Sequence, residues 1–458
     1  MRLEYGFTEL LLTSHAGLPA FSYLLKAARL PALFGPSVKT IPDHSIYTTQ
    51  IALLALGKSD FEAVSAYRDD VAFRRMLRLK RLPSAEIMRQ RIDAAPSQLE
   101  QNLHEACLRI LETHGEPLAH KQGFVPLDFD TSPMDNSGAK REGVSYTYQG
   151  FNGYHPLFAY LGEQGYMVAQ QLRPGSQHPQ KEFIPFFKTA VSSARRLTDV
   201  ALLARMDAAH DSDETLQACL DEQVDFIVRR NPRNEDPWKV WGSLGEDKEH
   251  FASGPGYYTA LIDERHCLSS GDSVRRITLV TRRARHGEQL LLTPEYALES
   301  LWSSLDLPVE EVFDLYHAHA TCEQFHSELK SDIGLERFPS AKFATNAHIL
   351  ILRPDRLQSP APVGRTDETQ PAAPSQAPAR IEPGAFSPAH RHADLAPPRR
   401  RAHPSCRHPS AQIRAAHRQQ PMGTRRPACV SRLNYRSYPP EGSFLLTSVQ
   451  IGKAQPCP

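Results

Sequence analysis

Three acidic residues, Asp130, Asp207 and Glu323, stand where their type and surroundings could carry chemistry. Asp130 closes the alternating stretch "FVPLDFD" and Asp207 closes the apolar run "DVALLARMD". Carboxylates at the ends of such strands sit at the edge where mixed sheets bind ligands. Glu323 lies in a third element, within "YHAHATCEQFHSELK", residues 316–330. Three hard oxygen donors from separate elements suit two Mg²⁺ ions about 3.5–4 Å apart, with Mn²⁺ as substitute. That arrangement activates a water and stabilises the leaving oxygen in phosphodiester displacement. Taken singly each acid is ordinary, since a strand-end Asp is usually a turn former or cap and a helical Glu a solvated residue. The reading rests on the three together. Asp128 shares a strand face with Asp130 and is the alternative first member.

Residues 316–330 contain no glycine or proline and read as one amphipathic helix. From Tyr316, the offsets to His319, Glu323 and Lys330 are 3, 7 and 14. These drift only about 20° per seven residues, so the four share a face. Cys322, Phe325 and Leu329 form a second face that anchors the helix in a core. Pro308 near the helix start, Glu310 and Glu311 in its first turn and Gly334 beyond its end agree with helix start and stop chemistry. Such a helix can hold a carboxylate at a metal while Lys330 meets a phosphate backbone.

The elements that must position these residues follow from hydrophobic period. Between about 121 and 230 the order is strand, strand, strand, helix, strand, helix, strand. This predicts a mixed α/β domain in which an antiparallel three-strand sheet is extended by crossover-connected parallel strands. The segment 231–303 is strand-rich and irregular and holds Trp238 and Trp241. Residues 1–115 are mostly helical in pattern, including "DFEAVSAYRDDVAFRRMLRL" and a short helix capped by Ser84. That helix carries Arg89 and Arg91 after a turn, as a DNA-reading helix could; a solvated face is the plainer alternative.

The 458 residues carry a net charge of only +1, which hides a split. From Arg353 onward there are 15 Arg, one Lys and six Asp or Glu, a net +10, leaving −9 for residues 1–352. DNA contact by the acidic body would therefore need local patches. Seven scattered cysteines without a CxxC pair argue against a disulfide framework or structural zinc site and fit a reducing cytoplasm. The N-terminus lacks a signal-peptide pattern, and no run approaches the ~18 apolar residues that span a membrane. A soluble, cytoplasmic chain is expected. The last 106 residues hold 18 of the 37 prolines and read as a disordered tail.

With these residues in view the chain resembles the DDE transposases of bacterial insertion sequences, most closely the insertion-sequence thirteen-eighty group. The resemblance spans roughly residues 5–352. It is carried by "LDFDTSPMDNSGAKREGVSYTYQGFNGYHPL", "LLARMDAAHDS" and "CEQFHSELKSDIGLERFPSAKFATN". Tyr316, Glu323 and Lys330 fall at the spacing of the group's Y-(2)-R-(3)-E-(6)-K signature, with His319 where the signature has arginine. The resemblance implies a ribonuclease-H-like catalytic domain over 116–352, with a strand-rich insertion, a helical DNA-binding domain over 1–115 and the tail from 353. It implies that Asp130, Asp207 and Glu323 bind two Mg²⁺ ions, and that Tyr316 and Lys330 position double-stranded DNA. In the insertion, Trp238 or Trp241 would stack on an unpaired base or pack in the core. The expected activity is cleavage at the element's terminal inverted repeats and strand transfer to target DNA, by a homodimer on DNA. The alternatives are a two-metal nuclease without strand transfer and an inactive relic that only binds DNA. His319 exchanges a permanent charge for a titratable one. The break in pattern at 348–353 and the Arg-over-Lys bias suggest a reading-frame shift; translating the other forward frames of the coding DNA tests it, and absence of a continuing helical pattern in either would refute it.

Overall fold

Strand β1 (Phe124–Thr131) shows why the fold has two unlike faces. Its period-2 alternation sends Val125, Leu127 and Phe129, all fully buried, to one side, and Asp128 and Asp130 to the other. The structure is a computed structural model. It describes residues 15, 17–244, 252–254, 256–286, 289–331 and 334–352, so the expectations for the segment from Arg353 onward lie outside the described residues.

Before β1 come α1 (Leu18–Leu24), α2 (Leu30–Phe34), α3 (Asp43–Ala55), α4 (Val71–Met76), α5 (Ala85–Asp93) and α6 (Leu99–His114). The helical stretch expected over "DFEAVSAYRDDVAFRRMLRL" is instead a 3₁₀ turn, Phe61–Tyr67, followed by α4. Asp60 and Asp70 break it, each accepting at 2.8 Å from the backbone N–H three residues on and so starting a new element. Ser84 caps α5 as anticipated, accepting from Ile87 N–H at 3.3 Å. The expected boundary at 115 marks a change of secondary structure and not a gap in packing. Ile46, Phe73, Met88 and Leu103 share one hydrophobic core with Phe158 and Tyr160 of the sheet and Phe325, Leu329 and Ile349 near the end of the described chain.

After β1, three short strands form a separate small sheet: β2 (Met134–Asp135), β3 (Ser145–Tyr146) and β4 (Asn152–Tyr154). β5 (Leu157–Leu161) and β6 (Tyr166–Gln171) return as a hairpin, β5 antiparallel to β1. Helices α7 (Phe183–Ala194) and α8 (Asp213–Asp221) are the crossovers that make β7 (Ala201–Met206) and β8 (Asp225–Arg229) parallel to β1. Pro185 is accommodated in the first turn of α7, where no backbone N–H is needed. On this side Phe129 packs against Phe183, Phe186 and Phe187 of α7. This is the mixed α/β arrangement expected: an antiparallel hairpin, then β1, then two parallel strands.

The strand-rich insertion extends that same sheet. α9 (Pro237–Ser243) precedes β9 (Ala252–Gly254), β10 (Tyr257–Cys267), β11 (Ser273–His286) and β12 (Gln289–Ser303). β12 pairs antiparallel with β8 through Leu301↔Arg229 and Ser303↔Ile227, giving nine strands in the order β6-β5-β1-β7-β8-β12-β11-β10-β9. The chain then forms α10 (Val309–His317), α11 (Thr321–Ser331) and α12 (Phe343–Ile351). The single helix expected over 316–330 is broken by a 3₁₀ turn, Ala318–Ala320. There the carbonyl of Leu315 accepts from the Arg205 guanidinium at 2.7 Å and the helical ladder tightens. α11 lies close on the β5–β6 hairpin. Gly165, at φ +63°, has no room for a side chain, since a Cβ would stand 2.5 Å from the Phe325 ring.

No helix among the described residues is long and apolar enough to cross a membrane. Among the described residues, Cys107, Cys219 and Cys322 are free thiols.

Candidate metal centre

Parallel pairing sets the site. β1 and β7 match Asp128 with Arg205 and, as the last paired positions, Phe129 with Met206; Asp130 and Asp207 are the next residues of each chain, close enough for the Asp207 charge to raise the Asp130 pKa. One sheet face therefore presents two pairs in succession, an inner aspartate–arginine pair and an outer aspartate–aspartate pair.

The inner pair is closed. Asp128 is 1% exposed and accepts from Arg205 Nε at 2.6 Å and Nη2 at 2.7 Å, a bidentate ion pair. His319 Nδ1 stands 3.1 Å from the same carboxylate. Burial alone would raise the Asp128 pKa, but Arg205 and His319 outweigh it and hold the carboxyl below its usual range. Asp128, His319 and Cys322 are close enough together to suggest a metal cluster. The chemistry does not fit one. Both Asp128 oxygens are occupied by a guanidinium that would repel a cation, and burial keeps the Cys322 thiol protonated. Of the two first-position candidates, Asp128 is therefore committed to the protein itself.

The outer pair is open. The Asp130 side chain is 22% exposed, with one oxygen 2.7 Å from Thr131 N–H and the other 3.7 Å from His326 Nδ1. Asp207 accepts at 3.1 Å from Ala209 N–H, capping the 3₁₀ turn Ala208–His210. Burial, then the negative charges of Asp207 and Asp128 against the pull of His319, push the Asp130 pKa up to about 7. Burial also raises Asp207. Two desolvated carboxylates within electrostatic reach of each other are a hard-oxygen donor set suited to a divalent cation of the Mg²⁺ or Mn²⁺ kind.

α11 lies over this pair. His319 of the preceding 3₁₀ turn and His326 of α11 both reach carboxylates of β1, and Glu323 lies between them in the chain, in the first turn of α11. Glu323 itself is exposed, and no hydrogen bond or ion pair joins it to either aspartate among the described residues. Lys330 is half-buried on the same face; burial lowers its pKa while Glu336 and Asp130 oppose the shift, which puts its ammonium within electrostatic reach of Asp130.

Tyr316 and His319 depart from the expected outward stripe. Tyr316 does not face outward; it is buried in the core between α10 and the sheet, among Leu203, Ile227 and Val312. His319 does not face a phosphate, because Asp128 draws it inward, and that carboxylate with Asp130 raises its pKa against the opposing effect of burial. Arg89 is paired with Glu62 and Glu86, and Arg91 with Asp43, so both guanidinium groups brace the helices rather than project from them. Trp241 is core, packed with Leu244, Ala260 and Val280, whereas Trp238 is 61% exposed. Sequence reasoning missed Arg205 and His326. Arg205 had a signal, a charged residue inside an apolar strand and two positions before Asp207, hence on the same face.

A family model described as "Transposase DDE domain group 1" matches residues 35–354. The chain belongs to that transposase family. Among curated proteins none matches. A solved structure of piggyBac transposase, in a synaptic complex with hairpin DNA, is similar over 73% of each chain at 9% identity and a TM-score of 0.38.

Proposed function

We propose that this transposase cleaves DNA at the ends of an insertion sequence of the thirteen-eighty group and joins the freed 3′ end to target DNA. Asp130 and Asp207 are the residues that hold the divalent ions, and Glu323 is the third carboxylate. The observation that carries this is the like-charged Asp130–Asp207 pair just beyond the last paired positions of two parallel strands. When bound, two Mg²⁺ ions supply activation of the attacking oxygen and stabilisation of the leaving oxygen. The protein's own part is positional. Arg205 and His319 neutralise Asp128 so that it does not compete for the ions, His326 orients Asp130, and Lys330 meets the phosphate backbone. The helical region 1–115 binds the terminal inverted repeats, and two copies hold two ends together, in the cytoplasm.

The test is Mg²⁺-dependent nicking of a plasmid carrying the element's own ends, beside Asp207→Asn and Glu323→Gln. Boundary nicks that vanish in both variants, followed by joined products, support the reading. Nicks without joining would indicate a nuclease. Folded protein without cleavage in Mg²⁺ or Mn²⁺ would indicate a DNA-binding relic, to which the buried His319 in place of the signature arginine would then point.

A further inference from the structure

The loop between β3 and β4 is a short, braced hairpin that none of the residues above uses. Thr147 closes it twice on the carbonyl of Phe151, through its N–H at 2.8 Å and its hydroxyl at 2.9 Å. Gly150 N–H donates back to the Thr147 carbonyl at 3.1 Å, at φ +90°, which a glycine adopts without strain. At its tip stands Tyr148, an aromatic side chain 72% exposed to solvent. Most large rings on a protein surface lie flat against it. This one is propped from behind by the buried ring of His155, with centroids 5.3 Å apart at 54°.

The contact with His155 locates Tyr148 in the fold. Register pairs Thr131 with Leu157, and Ser132 N–H donates to the Pro156 carbonyl, so His155 lies just past the end of β1 that carries Asp130. Asp130 and Asp207 are both close enough to add to the rise that burial produces in the Tyr148 hydroxyl pKa, so the phenol stays neutral at ordinary pH. An exposed, neutral aromatic face on a braced hairpin beside a carboxylate pair has little to offer a phosphate. It matches the π-face of a nucleobase, and a base adjacent to a cleaved phosphodiester is what such a location would meet.

We infer that Tyr148, propped on His155 at the tip of the β3–β4 hairpin, is a stacking platform for an unpaired nucleobase next to the Asp130–Asp207 pair. This rests on the reading of that pair as the cleavage site. Because stacking ignores base identity, the platform favours frayed or single-stranded ends over closed duplex and carries little sequence preference.

The test uses the full chain with Ca²⁺ in place of Mg²⁺ and two probes of element-end sequence. One is a duplex with a short overhang containing 2-aminopurine, the other its blunt counterpart. Stacking quenches 2-aminopurine on binding. Tyr148→Ala should abolish the quench and weaken overhang binding by at least about fivefold, the lower end of a base–aromatic stack. Blunt binding should stay unchanged. Tyr148→Phe should behave as wild type, since the ring and not the hydroxyl makes the stack. The inference is overturned by a wild type that does not quench, or by Tyr148→Ala matching wild type. It is equally overturned by Tyr148→Phe failing as badly as Tyr148→Ala, which would assign the hydroxyl to a phosphate. A changed sedimentation coefficient in Tyr148→Ala would assign the ring to contact between copies. Nicking without quench removes the platform alone, and quench without nicking removes the catalytic reading alone.

Discussion

Replacing Asp207 by asparagine should stabilise the metal-free protein and destroy its response to metal. The substitution keeps shape and an oxygen that can accept from Ala209 N–H, and removes one of two neighbouring charges. Neighbouring residues on adjacent strands stand about 5 Å apart. At an effective dielectric of about 20, two like charges at that distance repel by roughly 3 kcal/mol. Partial exposure of Asp130 and the nearby His319 reduce this to about 1–2 kcal/mol. The sign with pH follows from Asp130, whose pKa rises from 3.8 to about 7 on folding. A raised acid makes the folded state bind protons more tightly, so stability is lost as pH climbs from 3.8 to about 7 and does not recover above. His319, also raised, loses its contribution in the same direction. In EDTA at about pH 8, Asp207→Asn should melt a few degrees above wild type, and at about pH 4 the two should coincide. Mg²⁺ at about 100 times its Kd should raise the wild type by about 2.7 kcal/mol and the variant by much less, reversing the order. Scanning calorimetry at both pH values, with and without Mg²⁺, measures all four states. A variant less stable than wild type in EDTA at about pH 8, or an equal Mg²⁺ shift in both, would refute the reasoning.

Arg205→Ala should cost about 3–5 kcal/mol in urea denaturation, because it strands a buried carboxylate, and Asp128→Asn in the same chain should recover part of the loss. Gly165→Ala should destabilise by about 1–3 kcal/mol, combining a left-handed φ with a clash against Phe325; nicking should fall with it, since α11 would shift off the hairpin. Glu323→Gln should leave the melting temperature within about 1 °C of wild type, because the side chain is exposed.

Much of the scaffold is local, which is why it could be read from the chain. The period-2 alternation of 124–130, the apolar run ending at Asp207, the cap at Ser84 and the 3.6-residue spacing of α7 are properties of neighbouring residues. Any fold containing them would express them. Helix breaks were less legible. The caps at Asp60 and Asp70 are ordinary in type, and the 3₁₀ turn at 318–320 depends on a guanidinium that arrives from β7. Exposure of the Tyr316–Lys330 stripe could not be read either, because a helix has as many packed faces as it has neighbours.

The sequence by itself determined that β1 and β7 are apolar strands ending in aspartates, and that Asp128 and Asp130 share a face. Pairing between strands 77 residues apart decided the rest. It set Arg205 against Asp128 and Asp207 beside Asp130, making one carboxylate a buried counter-ion and the other half of an open acid pair. Side-chain type and spacing are identical for Asp128 and Asp130. Only the charge that the neighbouring strand carries at each level separates them.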